Sequence, residues 1–175
     1  MTTVPQILVV TGASGAGKTA TVRALDALAI PGIQCFHFDS IGVPTADVME
    51  RDFGGGEQWQ ESATAEWLAR LSSLPADVRL AVLDAQTRPS FVFTAAVRAL
   101  PRVVHVVLLD CSPHLRTERL CGPRRQPELA TAQMDQWAIY LRGQAEAMGL
   151  PLIDTTTLTV DEAAAQLEKL TRTRC

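Results

Sequence analysis

The sequence is poor in the features that would mark several protein classes at once. It holds four cysteines, Cys35, Cys111, Cys121 and Cys175, with no CxxC pair and no histidine at metal-ligand spacing, so neither a redox nor a zinc role is expected. Three of the four lie within or beside apolar runs, where a free thiol packs as a small hydrophobe. Such usage fits a reducing, cytoplasmic setting. Basic excess is missing as well. The formal charge is −3, which speaks against a nucleic-acid coat or a membrane-surface protein. No apolar run approaches the ~20 residues that a bilayer span needs. Met1–Pro5 lacks a basic region and Gln6–Val10 is too short for a secretory core, so no leader is expected. There is no internal repeat, low-complexity tract or linker.

What is present is a regular alternation. Five apolar runs, Gln6–Thr11, Ile33–Phe38, Arg79–Asp84, Val103–Asp110 and Leu150–Asp154, are separated by longer amphipathic stretches. Their continuous apolarity predicts strands buried on both faces, as in a parallel sheet covered by helices. Helices are expected over Thr19–Leu28, Gln58–Leu71, Ser90–Leu100, His114–Leu120, Glu128–Met148 and Val160–Thr171. Strand and helix in alternation predict an α/β fold, a doubly wound five-stranded parallel sheet with helices on both faces. The 175 residues suit one such domain. The longest inter-strand stretch, 39–77, is long enough for an acceptor-binding excursion, with Gly54-Gly55-Gly56 as a break within it.

The first run ends directly in Gly12-Ala13-Ser14-Gly15-Ala16-Gly17-Lys18-Thr19, which matches GxxxxGK[ST]. Glycines there let successive backbone N–H groups face phosphate oxygens, and the following helix adds its positive end. Lys18 can reach the β- and γ-phosphates, and the Thr19 hydroxyl can ligate Mg²⁺. The strand before the loop and the helix after it are the context this motif requires, so nucleotide binding is expected. An NKxD-type guanine motif is absent, which disfavours a GTPase.

The third run ends in Asp84-Ala85-Gln86-Thr87-Arg88, and the fourth is followed by Arg116, Arg119-Leu120-Cys121-Gly122-Pro123-Arg124-Arg125. In order, these segments resemble the nucleoside-monophosphate kinase and adenylate-kinase superfamily, with features similar to shikimate and gluconate kinases. Asp84–Arg88 stands where that superfamily has a DGFPR-like motif. Arg119–Arg125 resembles its lid arginines with one residue inserted, and Asp154–Glu162 its adenine-contacting loop. The resemblance implies that Asp84 holds Mg²⁺, with Asp110 as the rival, and that Arg88 grips an anionic group on the acceptor. It implies a short lid over 119–127 that closes Arg119, Arg124 and Arg125 on the phosphates, with Thr155 and Thr156 at the nucleotide.

Asp39 ends the second run, and parallel topology places strand C-termini at the ligand crevice. The shikimate- and gluconate-kinase-like enzymes carry an acid here, and a hydroxyl acceptor gains from a base where a monophosphate does not. Ala85 in place of glycine, the inserted Pro123 and the lack of an AMP signature near Asp39 depart from the adenylate-kinase pattern, and they leave the acceptor open but not the nucleotide. The expected function is therefore ATP- and Mg²⁺-dependent phosphoryl transfer to a hydroxyl of a small molecule. A nucleoside-monophosphate kinase is the alternative within the class, and a regulatory NTPase the alternative outside it. Trp59 with Trp67, and Trp137 with Tyr140, are expected to be packing. No catalytic part is expected of His37, His105 or His114.

Overall fold

The computed structural model of the protein describes residues 4–174. Five parallel strands, β1 (Gln6–Thr11), β2 (Ile33–His37), β3 (Leu80–Asp84), β4 (Val103–Asp110) and β5 (Leu152–Asp154), form one sheet in the order β2-β3-β1-β4-β5. Seven α-helices cover it: α1 (Lys18–Ala27), α2 (Ala46–Phe53), α3 (Gly56–Ser72), α4 (Pro89–Ala95), α5 (Pro113–Cys121), α6 (Ala132–Ala147) and α7 (Val160–Arg174). The chain is the doubly wound α/β architecture that its apolar runs predict.

Alternate side chains of β1 show why those runs are continuous. Ile7 and Val9 enter a core shared with Trp67, Leu68 and Leu71 of α3 and Val92 of α4. Leu8 and Val10 enter the opposite core, with Val22 and Leu25 of α1 and Leu167 of α7. All six residues of β1 are buried, so neither face of the strand can carry polar alternation. Leu108 of β4 adds a third cluster with Leu141 and Ala145 of α6.

The helix boundaries follow local chemistry. Ser112 caps α5 by accepting from Leu115 N, and Thr131 caps α6 by accepting from Met134 N. The predicted Glu128–Met148 helix is therefore shorter. Pro127–Leu129 form a separate 3-10 turn, and α6 starts after Thr131. The predicted Ser90–Leu100 helix likewise gives way at Ala96 to a 3-10 turn, ahead of a proline that disfavours helix in the residue before it. Helix α2, capped by Thr45, is an addition within the 39–77 excursion.

The sheet order places β1 in the centre, with β2 reached by crossing over β3 and β5 lying beyond β4. At this reversal the carboxyl ends of β1, β3 and β4 diverge, and a crevice opens. Val10 pairs with Asp84 and Thr11 with Leu108, so the loop after β1 leaves the sheet between the two acid-ended strands.

Candidate active site

The loop after β1 folds back as a cradle because two glycines permit it. A Cβ on Gly12 would lie 2.1 Å from the Leu109 carbonyl oxygen, so the loop can rest on β4 only with glycine there. Gly17 caps α1 with φ 93°, a left-handed conformation that is costly for other residues. Behind the loop, Thr155 donates its hydroxyl to the Ala16 carbonyl at 2.9 Å. Arg119 donates to the Gly15 carbonyl at 3.2 Å and to Thr155 Oγ1 at 2.9 Å.

Lys18 is 7% exposed, and its ammonium donates to the Ala13 carbonyl at 3.0 Å. Burial pushes its pKa down to about 8, against the opposing pull of Asp84; Arg124 depresses it further and Asp39 raises it. Thr19 donates to Asp84 Oδ2 at 2.7 Å, and His37 Nδ1 lies 3.1 Å from the same oxygen. These contacts gather the ends of β1, β2 and β3 around one carboxylate.

Asp110 has a different setting. Its Oδ1 accepts from Arg116 at 2.9 Å and from Cys111 N at 2.8 Å, and its Oδ2 accepts from Arg142 at 2.8 Å. Arg116, 3% exposed, reaches on to Asp135 at 2.7 Å. Both oxygens of Asp110 are taken by protein donors, so the carboxylate serves the packing of α5 and α6 on β4.

Two clefts meet at the cradle. One, of about 480 Å³, is walled by Gly15, Gly17, Thr19, Arg119, Thr155 and Leu158. The other, of about 390 Å³, is walled by Lys18, His37, Asp39, Trp59, Gln60 and Asp84. Thr19, Arg23 and Arg124 line both. The second cleft continues past Gln60 and Gln86 into a third, of about 630 Å³, which contains Arg88, Trp137 and Tyr140.

The predicted residues distribute unevenly over this frame. Lys18, Thr19, Asp39 and Asp84 share the second cleft, with Asp39 exposed in a 3-10 turn after β2. Ser14 also faces it, bonded to Gln86 Oε1 at 2.8 Å. Arg124 stands where the two clefts adjoin, held by a 3.1 Å bond to Gln126.

Three positions need correction. Arg119 is tied to Thr155 and the back of the loop rather than held clear to close on phosphate. Arg125 is exposed and is not among the residues lining either cleft at the loop. Thr156 turns away from the nucleotide side, donating to Asp154 and accepting from Ser112 N at 2.9 Å.

Several site residues escaped the sequence. His37, Gln60 and Gln86 line the second cleft, as does Arg23 on the first turns of α1. Trp67 is buried packing as expected, with Nε1 donating to the Phe38 carbonyl at 3.0 Å. Trp59 packs against the same core, edge-on to Phe38 at 6.0 Å, and also forms part of the cleft wall. Trp137 packs against Leu108, Leu141 and Ala145 as expected, and with Tyr140, stacked on it at 5.4 Å, it also lines the third cleft. A signal for Trp59 was its place in the excursion, one helical turn from the glycine break.

The chemistry of the donors suits a magnesium nucleotide. Among the described residues no cluster of three acidic, histidine or cysteine side chains could hold a metal unaided. Mg²⁺ asks for less, since it keeps waters and takes phosphate oxygens besides one or two protein ligands. Thr19 and Asp84, bonded to each other at 2.7 Å, are a pair that could serve it, and Lys18 is the buried cation beside them.

No family model and no curated protein matches the chain. Solved structures do. A shikimate kinase from Acinetobacter baumannii in complex with shikimate gives a TM-score of 0.65 over 98% of this chain and 95% of that one, at 17% identity. Thymidylate kinase from Candida albicans gives 0.62 over 97% and 92%, at 13% identity. A gluconokinase from Sinorhizobium meliloti gives 0.59 over 99% and 97%, at 17% identity. The chain thus has the P-loop kinase fold along nearly its whole length, in the version shared by small-molecule and nucleoside-monophosphate kinases.

Proposed function

We propose that the protein is an ATP-dependent phosphotransferase that moves the γ-phosphoryl group to a hydroxyl of a small molecule. The observation that carries this reading is the meeting of two clefts at one cradle, with Thr19, Arg23 and Arg124 common to both and Lys18 facing the second. A hydrolytic switch needs the nucleotide cleft alone. A transferase needs a second cleft that opens on the same phosphate position, walled by groups able to orient an acceptor. The shikimate, gluconate and thymidylate kinases that share the fold are consistent with that division of space.

On this reading the cradle Gly12–Thr19 binds ATP, with Ala13, Ser14 and Ala16 contributing backbone, while Arg119 and Thr155 fix the loop's back. Bound ATP·Mg²⁺ supplies the transferable group, with Thr19 and Asp84 holding the metal. Lys18 and Arg124 neutralise charge spreading on the phosphoryl oxygens. Asp39 accepts the proton of the acceptor hydroxyl, and His37 keeps Asp84 turned toward Thr19. The short lid, 119–127, closes Arg124 over the nucleotide, with Arg119 as its fixed end.

Asp39→Asn tests the transferase role directly. It is expected to lower turnover by about 10²- to 10³-fold, the range for loss of a general base, while ATP affinity stays within about twofold. Unchanged turnover with a phosphorylated acceptor would remove Asp39 from the mechanism. ATP hydrolysis indifferent to every acceptor would remove the transferase reading.

A further inference from the structure

The third cleft carries information on the acceptor that the phosphate chemistry does not. Arg88 is its only arginine or lysine, and its guanidinium is already engaged on several sides. It donates to Gln60 Oε1 at 2.7 Å and to Glu57 Oε2 at 3.0 Å. Its Cζ lies 4.9 Å from the centre of the Trp137 ring, 5.0 Å from Phe91 and 5.7 Å from Tyr140. The Arg88 side chain is 17% exposed against 60% for Glu57. The charge presented to the cleft is therefore the carboxylate rather than the guanidinium. Glu128, exposed on the far wall, adds a second carboxylate.

A carboxylate on the acceptor would have to displace Glu57 and Gln60 from Arg88 and then sit beside the acid it displaced. Like charges brought together in a cleft reject a ligand more effectively than lost attraction does. A neutral ring meets no such obstacle. Trp137 and Tyr140 offer apolar surface to its C–H edges, and the Glu57, Gln60 and Glu128 side chains can bond hydroxyls.

We infer that the acceptor is an uncharged polyhydroxylated ring, a sugar or cyclitol without a carboxylate, seated between Trp137–Tyr140 and Glu57 with one hydroxyl at Asp39. This inference rests on the phosphotransferase reading and narrows it. Arg88 then acts as a positioning residue, holding Gln60 and the aromatic wall in place, and not as an anion grip. The expectation that Arg88 binds an anionic acceptor is replaced by this one.

Matched pairs test it: glucose with glucuronate, and myo-inositol with quinate, titrated calorimetrically into the full chain with Mg²⁺ and a non-hydrolysable ATP analogue. ADP release with ATP is measured in parallel. The neutral member of at least one pair is expected to bind about tenfold more tightly than its acid, the size of effect one repelling charge produces. Glu57→Gln, at an exposed position, should shrink that ratio about tenfold, and Trp137→Ala should weaken the neutral member with ATP affinity unchanged.

Preferential binding of an acid by the unaltered protein overturns the inference and leaves the kinase reading standing. So does a ratio indifferent to Glu57→Gln. Failure of every member to bind overturns it as well. A neutral ring that binds at the Trp137 wall but is never phosphorylated supports the inference about the cleft and overturns the transferase reading.

Discussion

Strands β3 and β4 flank β1 on either side, and both end in a buried aspartate, Asp84 at 7% and Asp110 at 5% exposure. Depth alone does not separate them; their partners do. Asp110 is met by two guanidinium groups and a backbone N–H, which compensate its charge and engage both of its oxygens. Asp84 is met by a hydroxyl and an imidazole, which can be exchanged for a ligand at small cost. Burial with full compensation builds structure, and burial with exchangeable partners leaves chemistry available. The pair shows that a strand-terminal acid can be assigned only from the side chains across from it.

The comparison breaks most visibly at Asp84. Asp84→Asn is expected to lower kcat about 10³-fold, as loss of a transition-state charge partner does, with stability changed by less than about 1 kcal/mol. Steady-state kinetics beside urea denaturation read both quantities. If Asp110→Asn gave that pattern instead, the two roles would be interchanged.

The converse effect belongs to Arg116. Arg116→Met strips a buried carboxylate of its buried partner and should cost about 3 kcal/mol of unfolding free energy. An unchanged urea midpoint would show Asp110 to be compensated by Arg142 alone.

A smaller effect comes from Lys18, which shares Asp84's cleft. Below pH 8 its ammonium is charged in the folded and the unfolded chain, and the cost of burying it is fully present. From about pH 8 towards 10.5 the folded chain has lost the proton and the unfolded chain has not, so the Lys18 contribution to stability without ligand rises with pH. ATP needs the ammonium, so its affinity should fall about tenfold per pH unit across the same window. Titrating ATP between pH 7 and 10 checks this, and the rise in stability should vanish in Lys18→Met.

Smallest is His37→Asn. Losing one of two partners of Asp84 should lower kcat about threefold, within the range of a single modest hydrogen bond. No change would leave Thr19 as the sole positioning contact.

The parts legible in the sequence were those fixed by local pattern. β1 and β4 begin and end as their apolar runs do, and Gly12–Thr19 carries its geometry in its glycines. Helix α2 was not legible, because its eight residues make barely two turns, shorter than the window over which a helical period can be read. Asp84 and Asp110 were similar on paper, since the arginines that separate them come from α5 and α6. Trp137 and Tyr140, three apart on one helix, read as packing. Trp137 does pack on the core beneath α6, and the cleft the pair also lines is marked by Arg88, 49 residues before Trp137 in the chain. Arg119 was found as a site residue, but its bonds to Thr155 and Gly15 were not, since only the packing of the β5–α7 loop brings Thr155 to it.

Arg124 belongs to the walls of both clefts at the loop and is held there by one exposed hydrogen bond to its own loop. Whichever ligand arrives first and orders that side chain bears the entropy of fixing it, and the second ligand finds it already fixed. On the phosphotransferase reading, nucleotide and acceptor then strengthen each other's binding by the same factor, as linkage requires. A single arginine shared by two walls would in that way tie the grip on the nucleotide to the presence of something to phosphorylate.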